Sequence, residues 1–221
     1  MTSEVHNIDC LELMRTLPDK CFQLAIADPP YGINFARKHT GKGWMVRESK
    51  DWDKSIPQAD FWNELFRVSQ NLIVWGGNYM TEYLPPKMGW IVWDKGQRDF
   101  SLADGELAWT SFDKALRIFS YSRAAALLEG KIHPTQKPVA LYAWLLQHYA
   151  KPGDRIFDPM IGSQSSRIAA YKLGFDYVGC ELDNEYFTKG CERFDRECHG
   201  ITISENGQRY QQTSIFDNNQ V

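Results

Sequence analysis

Short apolar runs alternate with segments of helical periodicity along most of this chain, and each run has the length of one buried strand. Such runs predict strands over residues 23–28, 71–75, 90–93, 106–112, 116–121, 155–158 and 177–181. Apolar residues at helical spacing predict helices over residues 9–17, 60–70, 138–149, 162–173 and 184–198. The alternation predicts an α/β fold, a doubly wound, mostly parallel Rossmann-like sheet with an antiparallel strand near one edge.

Residues with special backbone preferences mark where some of these elements begin and end. Asp60 is a predicted N-cap for the second helix. The strands at 106–112 and 116–121 are close enough in sequence to predict an antiparallel hairpin. Asn206-Gly207 predicts another hairpin in the C-terminal tail. No repeat or low-complexity linker interrupts the order, so residues 1–221 are predicted to form one domain.

The composition favours a globular domain and excludes several protein classes. The 221 residues are 43% hydrophobic, and the formal net charge of −3 excludes a generally basic coat while allowing a local basic groove. Five cysteines without a CxxC pair, and histidines without ligand spacing, predict neither a disulfide framework nor a metal site. No signal peptide and no membrane-spanning apolar run are recognisable, so a cytoplasmic location away from membranes is expected.

The tetrapeptide Asp28-Pro29-Pro30-Tyr31 follows an apolar run that predicts a buried parallel strand. The carboxyl ends of such strands are where open α/β sheets bind ligands. The prolines fix φ and lack N–H groups, so the Pro29 carbonyl is not held in a helical ladder. The stiff turn therefore offers a carboxylate and a carbonyl beside an aromatic ring, which suits a planar amine. A Pro-Pro turn with a surface tyrosine is the structural alternative.

A second acid follows another predicted strand in the segment from Asp158 to Ser163, whose small residues allow a ligand to approach the backbone closely. About twenty residues later, Glu181 ends the next strand, where an acid commonly accepts hydrogen bonds from an adenosine ribose. Gly162 is the only glycine of a GxGxxG loop that is present, which disfavours NAD and FAD. A cofactor without phosphates fits better, and S-adenosylmethionine is predicted. An acid that merely precedes a helix is the alternative at position 181.

The stretch from residue 33 to residue 58 fits neither the helical nor the strand period. Its cations are interleaved with tryptophans, a combination that suits a phosphate backbone and an unstacked base. A solvated flexible loop, with its charge diluted by Glu48, Asp51 and Asp53, is the alternative. The residues predicted to contact nucleic acid are Arg37, Lys38, Lys42, Trp44, Arg47 and Trp52.

Several motifs in this order resemble the DNA amino-methyltransferases of the permuted, β-type order, in which the catalytic motif precedes the cofactor motif. Asp28–Tyr31 resembles the catalytic tetrapeptide, and Asp158–Ser166 resembles the cofactor loop. His133–Pro138 resembles the element that holds the methionine end of the cofactor. Asn7–Cys10 resembles the segment whose acid faces the cofactor adenine, and Glu181 takes the ribose position.

This resemblance implies a methyltransferase built on the predicted sheet, with S-adenosylmethionine as its cofactor. The catalytic residues it implies are Asp28, Pro29, Pro30 and Tyr31. The cofactor-binding residues it implies are Asp9, Asp28, His133, Thr135, Gln136, Lys137, Asp158, Pro159, Gly162, Ser163, Gln164, Ser165, Glu181 and Leu182.

The implied reaction is site-specific DNA methylation at the exocyclic N6 of a flipped adenine. Asp28 and the Pro29 carbonyl would accept the two amino hydrogens, and Tyr31 would stack on the base. Methylation of cytosine N4, methylation of adenine in RNA, and a non-catalytic nucleic-acid-binding subunit are the alternatives. A NAD-dependent oxidoreductase is a further one, disfavoured by the absent phosphate loop.

The chain departs from the family pattern in two places. Gln164 stands where the family usually has a second glycine, which leaves the cofactor affinity open. The region before His133 is short, so no separate large target-recognition domain is expected. Selection of the DNA site then falls to the loop at 33–58 or to a second subunit, or the selection is weak. A homodimer and a cognate restriction enzyme are the partner hypotheses that follow.

Overall fold

A mostly parallel sheet of eight strands forms the centre of the computed structural model, which describes residues 1–33, 53–98, 103–204 and 206–211. The strand bounds are β1 Ser3–His6, β2 Phe22–Ala27, β3 Ser69–Trp75, β4 Trp90–Asp94, β5 Gly105–Thr110, β6 Arg117–Ser120, β7 Arg155–Asp158 and β8 Asp176–Cys180. Across the sheet, the strands lie in the order β1-β8-β7-β2-β3-β5-β4-β6.

Strand directions within the sheet agree with the predicted architecture. From β1 through β8, β7 and β2 to β3, neighbouring strands run parallel. Strand β5 runs antiparallel to both of its neighbours, β3 and β4, and β6 pairs with β4 in parallel. The predicted fold class, with its antiparallel strand near one edge, is therefore confirmed.

The predicted hairpin between residues 106–112 and 116–121 is wrong, because β4 lies between β5 and β6. Strand β4 pairs with β5 along its whole length. This pairing buries Ile91 and Trp93 in the core, while Ile118 on the edge strand β6 stays 60% exposed. Burial of two large side chains in the core outweighs nearness in sequence.

Helices cover both faces of the sheet. Their bounds are α1 Cys10–Arg15, α2 Ala59–Val68, α3 Arg123–Leu128, α4 Val139–Tyr149, α5 Ser165–Leu173 and α6 Asn184–His199. Successive residues of β2 point to opposite faces, so Leu24 and Ile26 pack in the cluster that contains α4. Ala25 and Ala27 pack in the cluster that contains residues of α1 and α2. Both faces of the central strands are thus buried, as the apolar runs predicted.

The predicted N-cap of the second helix is wrong, whereas the predicted C-terminal hairpin is present. Helix α2 starts after Gln58, so the predicted N-cap role of Asp60 is wrong. Asp60 lies in the first turn, where a negative charge still favours the helix dipole, and pairs with Arg15 at 3.2 Å. The hairpin at Asn206-Gly207 is confirmed, since β9 Ile201–Ile203 pairs antiparallel with β10 Arg209–Gln211. Across the described ranges, every helix is too short or too polar to cross a bilayer.

Candidate active site

Three acids lie at one edge of the sheet because each of them ends a parallel strand or follows it directly. Asp28 follows β2, Asp158 is the last residue of β7, and Glu181 follows β8. Strands β8, β7 and β2 are neighbours that run in the same direction, so their carboxyl ends lie together. This edge is the ligand-binding edge of open α/β sheets.

A cavity of about 960 Å³ opens at this edge, a volume in the range of ligand sites. The segments that follow β2, β7 and β8 border it, and so does the segment that precedes α4. Among the residues predicted from the sequence, those that line the cavity are Asp9, Asp28, Pro29, Pro30, Tyr31, His133, Thr135, Gln136, Lys137, Pro159, Gly162, Ser163, Ser165, Glu181 and Leu182.

The Asp28 carboxylate is held through one of its two oxygens. Lys137 Nζ lies 2.5 Å from Asp28 Oδ1, and the Tyr31 hydroxyl donates to the same oxygen at 2.8 Å. Within the described part of the chain, nothing donates to Oδ2, so this oxygen can accept a hydrogen bond from a ligand. Burial raises the pKa of Asp28, but the Lys137 ammonium opposes the rise and favours the ionised carboxylate.

Lys137 connects the tetrapeptide to Glu106, which lies on β5 and was not predicted. The Lys137 side chain is 2% exposed, and its Nζ lies 3.1 Å from Glu106 Oε2 and 3.2 Å from the Tyr31 hydroxyl. Burial acts to lower the pKa of Lys137, but the carboxylates of Asp28 and Glu106 outweigh burial and raise the pKa above its usual value. Lys137 therefore keeps its ammonium form.

A second ammonium holds the other oxygen of Glu106. Lys95 Nζ lies 2.6 Å from Glu106 Oε1. Burial acts to raise the pKa of Glu106, but Lys137 and Lys95 outweigh it and lower the pKa to about 2. Two carboxylates and two ammonium groups therefore alternate along one wall of the cavity.

Tyr31 is fixed through its backbone, its hydroxyl and its ring. Asp53 Oδ1 accepts hydrogen bonds from the backbone N–H groups of Tyr31 and Gly32, at 2.9 and 3.0 Å. The Tyr31 ring stacks on Tyr79, with centroids 5.2 Å apart and planes 15° apart. The Tyr31 ring also packs so closely against Gly76, whose φ is +67°, that a Cβ at position 76 would not fit. The alternative interpretation of Asp53 as a solvated loop acid is therefore wrong, since Asp53 is 3% exposed and anchors the turn.

Glu181 and Asp9 bring two carboxylates to the cofactor side of the cavity. Glu181 Oε2 accepts from the Gly162 N–H at 3.0 Å, and its Oε1 accepts from the Asp183 N–H at 2.9 Å. Burial raises the pKa of Glu181. Asp9 caps α1 by accepting from two backbone N–H groups of that helix. Each carboxylate keeps lone pairs for a ligand while it fixes the loop that carries it.

The segment from His133 to Lys137 forms a turn stabilised by its own side chains. His133 Nδ1 lies 3.1 Å from Thr135 Oγ1, and the His133 ring packs edge-on against Tyr186 with centroids 4.3 Å apart. The Gln136 side chain donates to the Gly130 carbonyl at 2.6 Å. Gln136 therefore shapes the turn, although it also borders the cavity.

Asp158 was predicted to bind the cofactor, but its side chain is not part of the cavity wall. It is 1% exposed and accepts from Ser166 Oγ at 2.6 Å and from the Met160 N–H at 3.0 Å. Ser166 Oγ in turn lies 2.7 Å from the Tyr177 hydroxyl. Burial raises the pKa of Asp158 to about 7. These contacts make Asp158 a buried support of the loop, because every polar contact it makes is with the protein interior.

Gln164 also lies outside the cavity wall. Its backbone has a φ of 60°, and its buried amide donates towards the Phe187 carbonyl of α6 at 3.3 Å while accepting from Arg167 at 2.8 Å. Arg193 of α6 braces the same loop, donating to the Ser163 carbonyl at 3.1 Å and to Ser165 Oγ at 2.8 Å. The side chain of Gln164 therefore does not crowd the cavity.

The residues predicted to contact nucleic acid lie outside the described residues: Arg37, Lys38, Lys42, Trp44, Arg47 and Trp52. Over the ranges that the structure describes, no group of three or more His, Cys, Asp or Glu side chains is arranged to hold a metal ion.

The Asp28–Tyr31 turn and the Gly162–Glu181 edge thus border one cavity, and comparison with known proteins identifies the class to which the chain belongs. The family model N6/N4 methyltransferase, described as DNA methylase, matches residues 74–191, more than half of the chain. This chain belongs to that family, the S-adenosylmethionine-dependent N6/N4 DNA methyltransferases. The predicted family is therefore confirmed.

The chain is also similar to individual proteins and to a solved structure. It is 26% identical over 212 residues to the Escherichia coli K12 protein YubD, which is named as a methylase, with 84% of this chain and 87% of YubD covered. It is 34% identical over 83 residues to the E. coli K12 DNA adenine methyltransferase YhdJ, with 37% of this chain and 28% of YhdJ covered. The crystal structure of the M1.HpyAVI-SAM complex has the same fold, with a TM-score of 0.58, 20% identity, and coverage of 86% of this chain and 98% of that chain.

Proposed function

We propose that this protein transfers a methyl group from S-adenosylmethionine to the N6 amino group of a flipped adenine in DNA. One observation carries the proposal: the Asp28–Tyr31 tetrapeptide and the Gly162 loop with Glu181 border the same cavity. An acceptor for an amine and a candidate edge for a nucleoside cofactor thus share one space. Direct transfer between two bound molecules requires such proximity.

The amine side offers two acceptors on a rigid turn. Asp28 Oδ2 and the Pro29 carbonyl oxygen receive no hydrogen bond from any described residue, so both can accept an N–H of the exocyclic amine. Two such bonds favour a pyramidal nitrogen with an available lone pair. The rings of Tyr31 and Tyr79 give the base a stacking surface, which helps to offset the cost of flipping, about a few kcal/mol.

The cofactor side fits a nucleoside that carries no phosphate. The Gly162 N–H is the kind of donor that holds a phosphate in dinucleotide sites, but here it is bonded to Glu181 Oε2. Two carboxylates, Glu181 and Asp9, border the space and would repel a pyrophosphate. They suit the ribose hydroxyls and the adenine amino group of S-adenosylmethionine, which supplies a methyl group on a positively charged sulfur.

The protein's own task in this reaction is to position the nitrogen and to stabilise its charge. The amine is a weak nucleophile, so alignment by Asp28 and Pro29 supplies much of the rate. Positive charge develops on the nitrogen as the new bond forms, and the preorganised Asp28 carboxylate stabilises it. The proton leaves the nitrogen for solvent after transfer, so Asp28 acts as an acceptor and not as an obligatory base.

Adenine is favoured over cytosine for two reasons. In the family that this chain resembles, an aspartate at the first position of the tetrapeptide is more often associated with adenine than with cytosine. YhdJ, the relative that shares 34% identity over 83 residues, is named as a DNA adenine methyltransferase. Cytosine N4 presents a similar amine to the same acceptors, so the N4 reaction is the second candidate. RNA is a third substrate to test, because the tetrapeptide binds a base and not a sugar.

A product assay tests the proposal directly. The protein is incubated with labelled S-adenosylmethionine and unmethylated DNA or RNA, and the nucleosides are identified after digestion. N6-methyldeoxyadenosine is the expected product. N4-methyldeoxycytidine would assign the reaction to cytosine, and methylation confined to RNA would replace the substrate class. No product on any of these substrates, together with no S-adenosylmethionine binding by calorimetry, would refute the enzyme assignment.

A substitution pair links the product to the tetrapeptide. Asp28→Ala removes the amine acceptor, so transfer is expected to fall at least about a hundredfold while S-adenosylmethionine binding is retained. Asp113→Ala is the matched control, because it removes an exposed carboxylate that pairs with Lys87 outside the cavity. Full activity in Asp28→Ala would show that another group accepts the amine.

A further inference from the structure

We propose that Glu106 is a positioning residue for methyl transfer. Its negative charge compensates the positive charge of Lys137 and so keeps the surroundings of the amine negative. This inference rests on the proposed function above. The carboxylate has no direct role as an acceptor for the amine. It acts through the buried ammonium that holds Asp28.

The contacts of Lys137 show why its charge needs compensation. Its ammonium carries three hydrogens, and three oxygens lie within 3.2 Å of Nζ: Asp28 Oδ1, Glu106 Oε2 and the Tyr31 hydroxyl. The Lys137 side chain is 2% exposed, so solvent screens its charge poorly. A cation fixed this close to Asp28 cancels most of the negative charge that the amine would otherwise meet.

The transfer step is sensitive to that charge because positive charge moves towards Asp28. The nitrogen lone pair forms the new N–C bond, and the electron pair of the breaking S–C bond returns to sulfur as a neutral thioether. The nitrogen carries the positive charge until it releases a proton to solvent. A neutral Asp28–Lys137 pair stabilises this charge weakly, whereas the added carboxylate of Glu106 makes the three-residue group net negative.

The direction of β5 explains why Glu106 lies at this edge of the sheet. Glu106 is near the start of β5, opposite Trp93 of β4. Because β5 runs antiparallel to β3, its start lies at the edge where the parallel strands end. Its two oxygens are divided between two ammonium groups, Oε1 with Lys95 and Oε2 with Lys137. Lys95 therefore weakens the effect of Glu106, and the two residues are expected to change the reaction in opposite directions.

The opposite effects expected for Glu106 and Lys95 distinguish a role in charge from a purely structural role. Glu106→Gln keeps the shape and removes one negative charge, so kcat is expected to fall about tenfold, while the Kd of S-adenosylmethionine changes less than about threefold. Lys95→Met removes one positive charge and is therefore expected to raise kcat. The double variant is expected to recover part of the loss seen in Glu106→Gln. Glu64→Gln is the matched control, since it breaks a carboxylate pair with Arg67 outside the cavity.

Each outcome decides between the two explanations. A fall in kcat in both single variants, deepened in the double variant, would mean that the cluster acts only by holding the fold, and the proposal would be overturned. Wild-type kcat in Glu106→Gln would overturn it as well. Should Glu106→Gln fail to fold by circular dichroism, Lys95→Met still decides, because a raised kcat there supports the charge argument and an unchanged or lowered kcat contradicts it. A wild-type protein that methylates nothing would refute the proposed function itself, whatever the variants do.

Discussion

Asp158 gives a prediction whose sign and size follow from its burial. Its carboxyl group is 1% exposed at the end of β7, and the hydrogen bonds from Ser166 and Met160 do not offset the loss of hydration. Burial therefore raises its pKa from 3.8 to about 7. Asp158→Asn keeps the shape and the acceptor for the Met160 N–H, while it removes the titration.

The direction of the effect follows from proton linkage. Between pH 4 and pH 7, taken as approximate limits, the native state holds a proton on Asp158 that the unfolded chain has released. The free energy of unfolding therefore falls as the pH rises through this window. A shift from 3.8 to about 7 corresponds to about 4 kcal/mol, as an order of magnitude, since one pKa unit is worth about 1.4 kcal/mol. The asparagine variant is expected to lose this dependence and to gain stability relative to wild type at pH 8.

Urea unfolding at several pH values between 5 and 8 measures the effect. The quantity to compare is the difference in the free energy of unfolding between Asp158→Asn and wild type, because the contributions of other titrating groups cancel in that difference. Asp94→Asn is the control, because a hydrogen bond from Arg98 lowers the pKa of Asp94 to about 2, outside the range tested. The difference for Asp158→Asn should grow with pH, and that for Asp94→Asn should stay constant. A constant difference for both variants would refute the burial argument.

Two further substitutions test the supports of the site. Tyr79→Ala removes the ring that stacks on Tyr31, so the KM for DNA is expected to rise about tenfold or more. The Kd of S-adenosylmethionine is expected to stay unchanged. Tyr79→Phe keeps the ring and should preserve both constants. Arg193→Met keeps the volume but removes the donors to Ser163 and Ser165, so calorimetry is expected to show weaker S-adenosylmethionine binding and thermal unfolding a lower Tm. Unchanged affinity in Arg193→Met would contradict the bracing role.

The strand ends of the site could be predicted from the sequence because local patterns determine them. Asp28, Asp158 and Glu181 each follow a short apolar run, and a buried parallel strand needs little more than such a run to be recognised. Once the strands are adjacent and parallel, their carboxyl ends meet without any further information. Composition and spacing therefore located the edge of the sheet where the cavity lies.

Glu106 and Asp53 could not be predicted in the same way, because their partners are distant in sequence. Asp53 accepts hydrogen bonds from the backbone of Tyr31 across 22 positions, and Glu106 on β5 contacts Lys137 in the segment that precedes α4. Local patterns instead left a solvated loop acid open as an alternative at position 53 and predicted a hairpin that starts at residue 106. Both errors have the same physical origin, which is that long-range burial decides pairing where several local pairings are available.

Gln164 shows how a cofactor motif can tolerate a residue that its usual pattern excludes. A non-glycine residue with a φ of 60° pays a backbone cost of about 1–2 kcal/mol, which is why glycine is common there. Here the fully buried amide bonds to Arg167 and to the Phe187 carbonyl of α6, and Gly190 provides the space for it. The hydrogen bonds offset the strain, and the side chain is directed away from the cavity. The turn requires a left-handed backbone and a clear ligand face, and this chain meets both requirements without the second glycine.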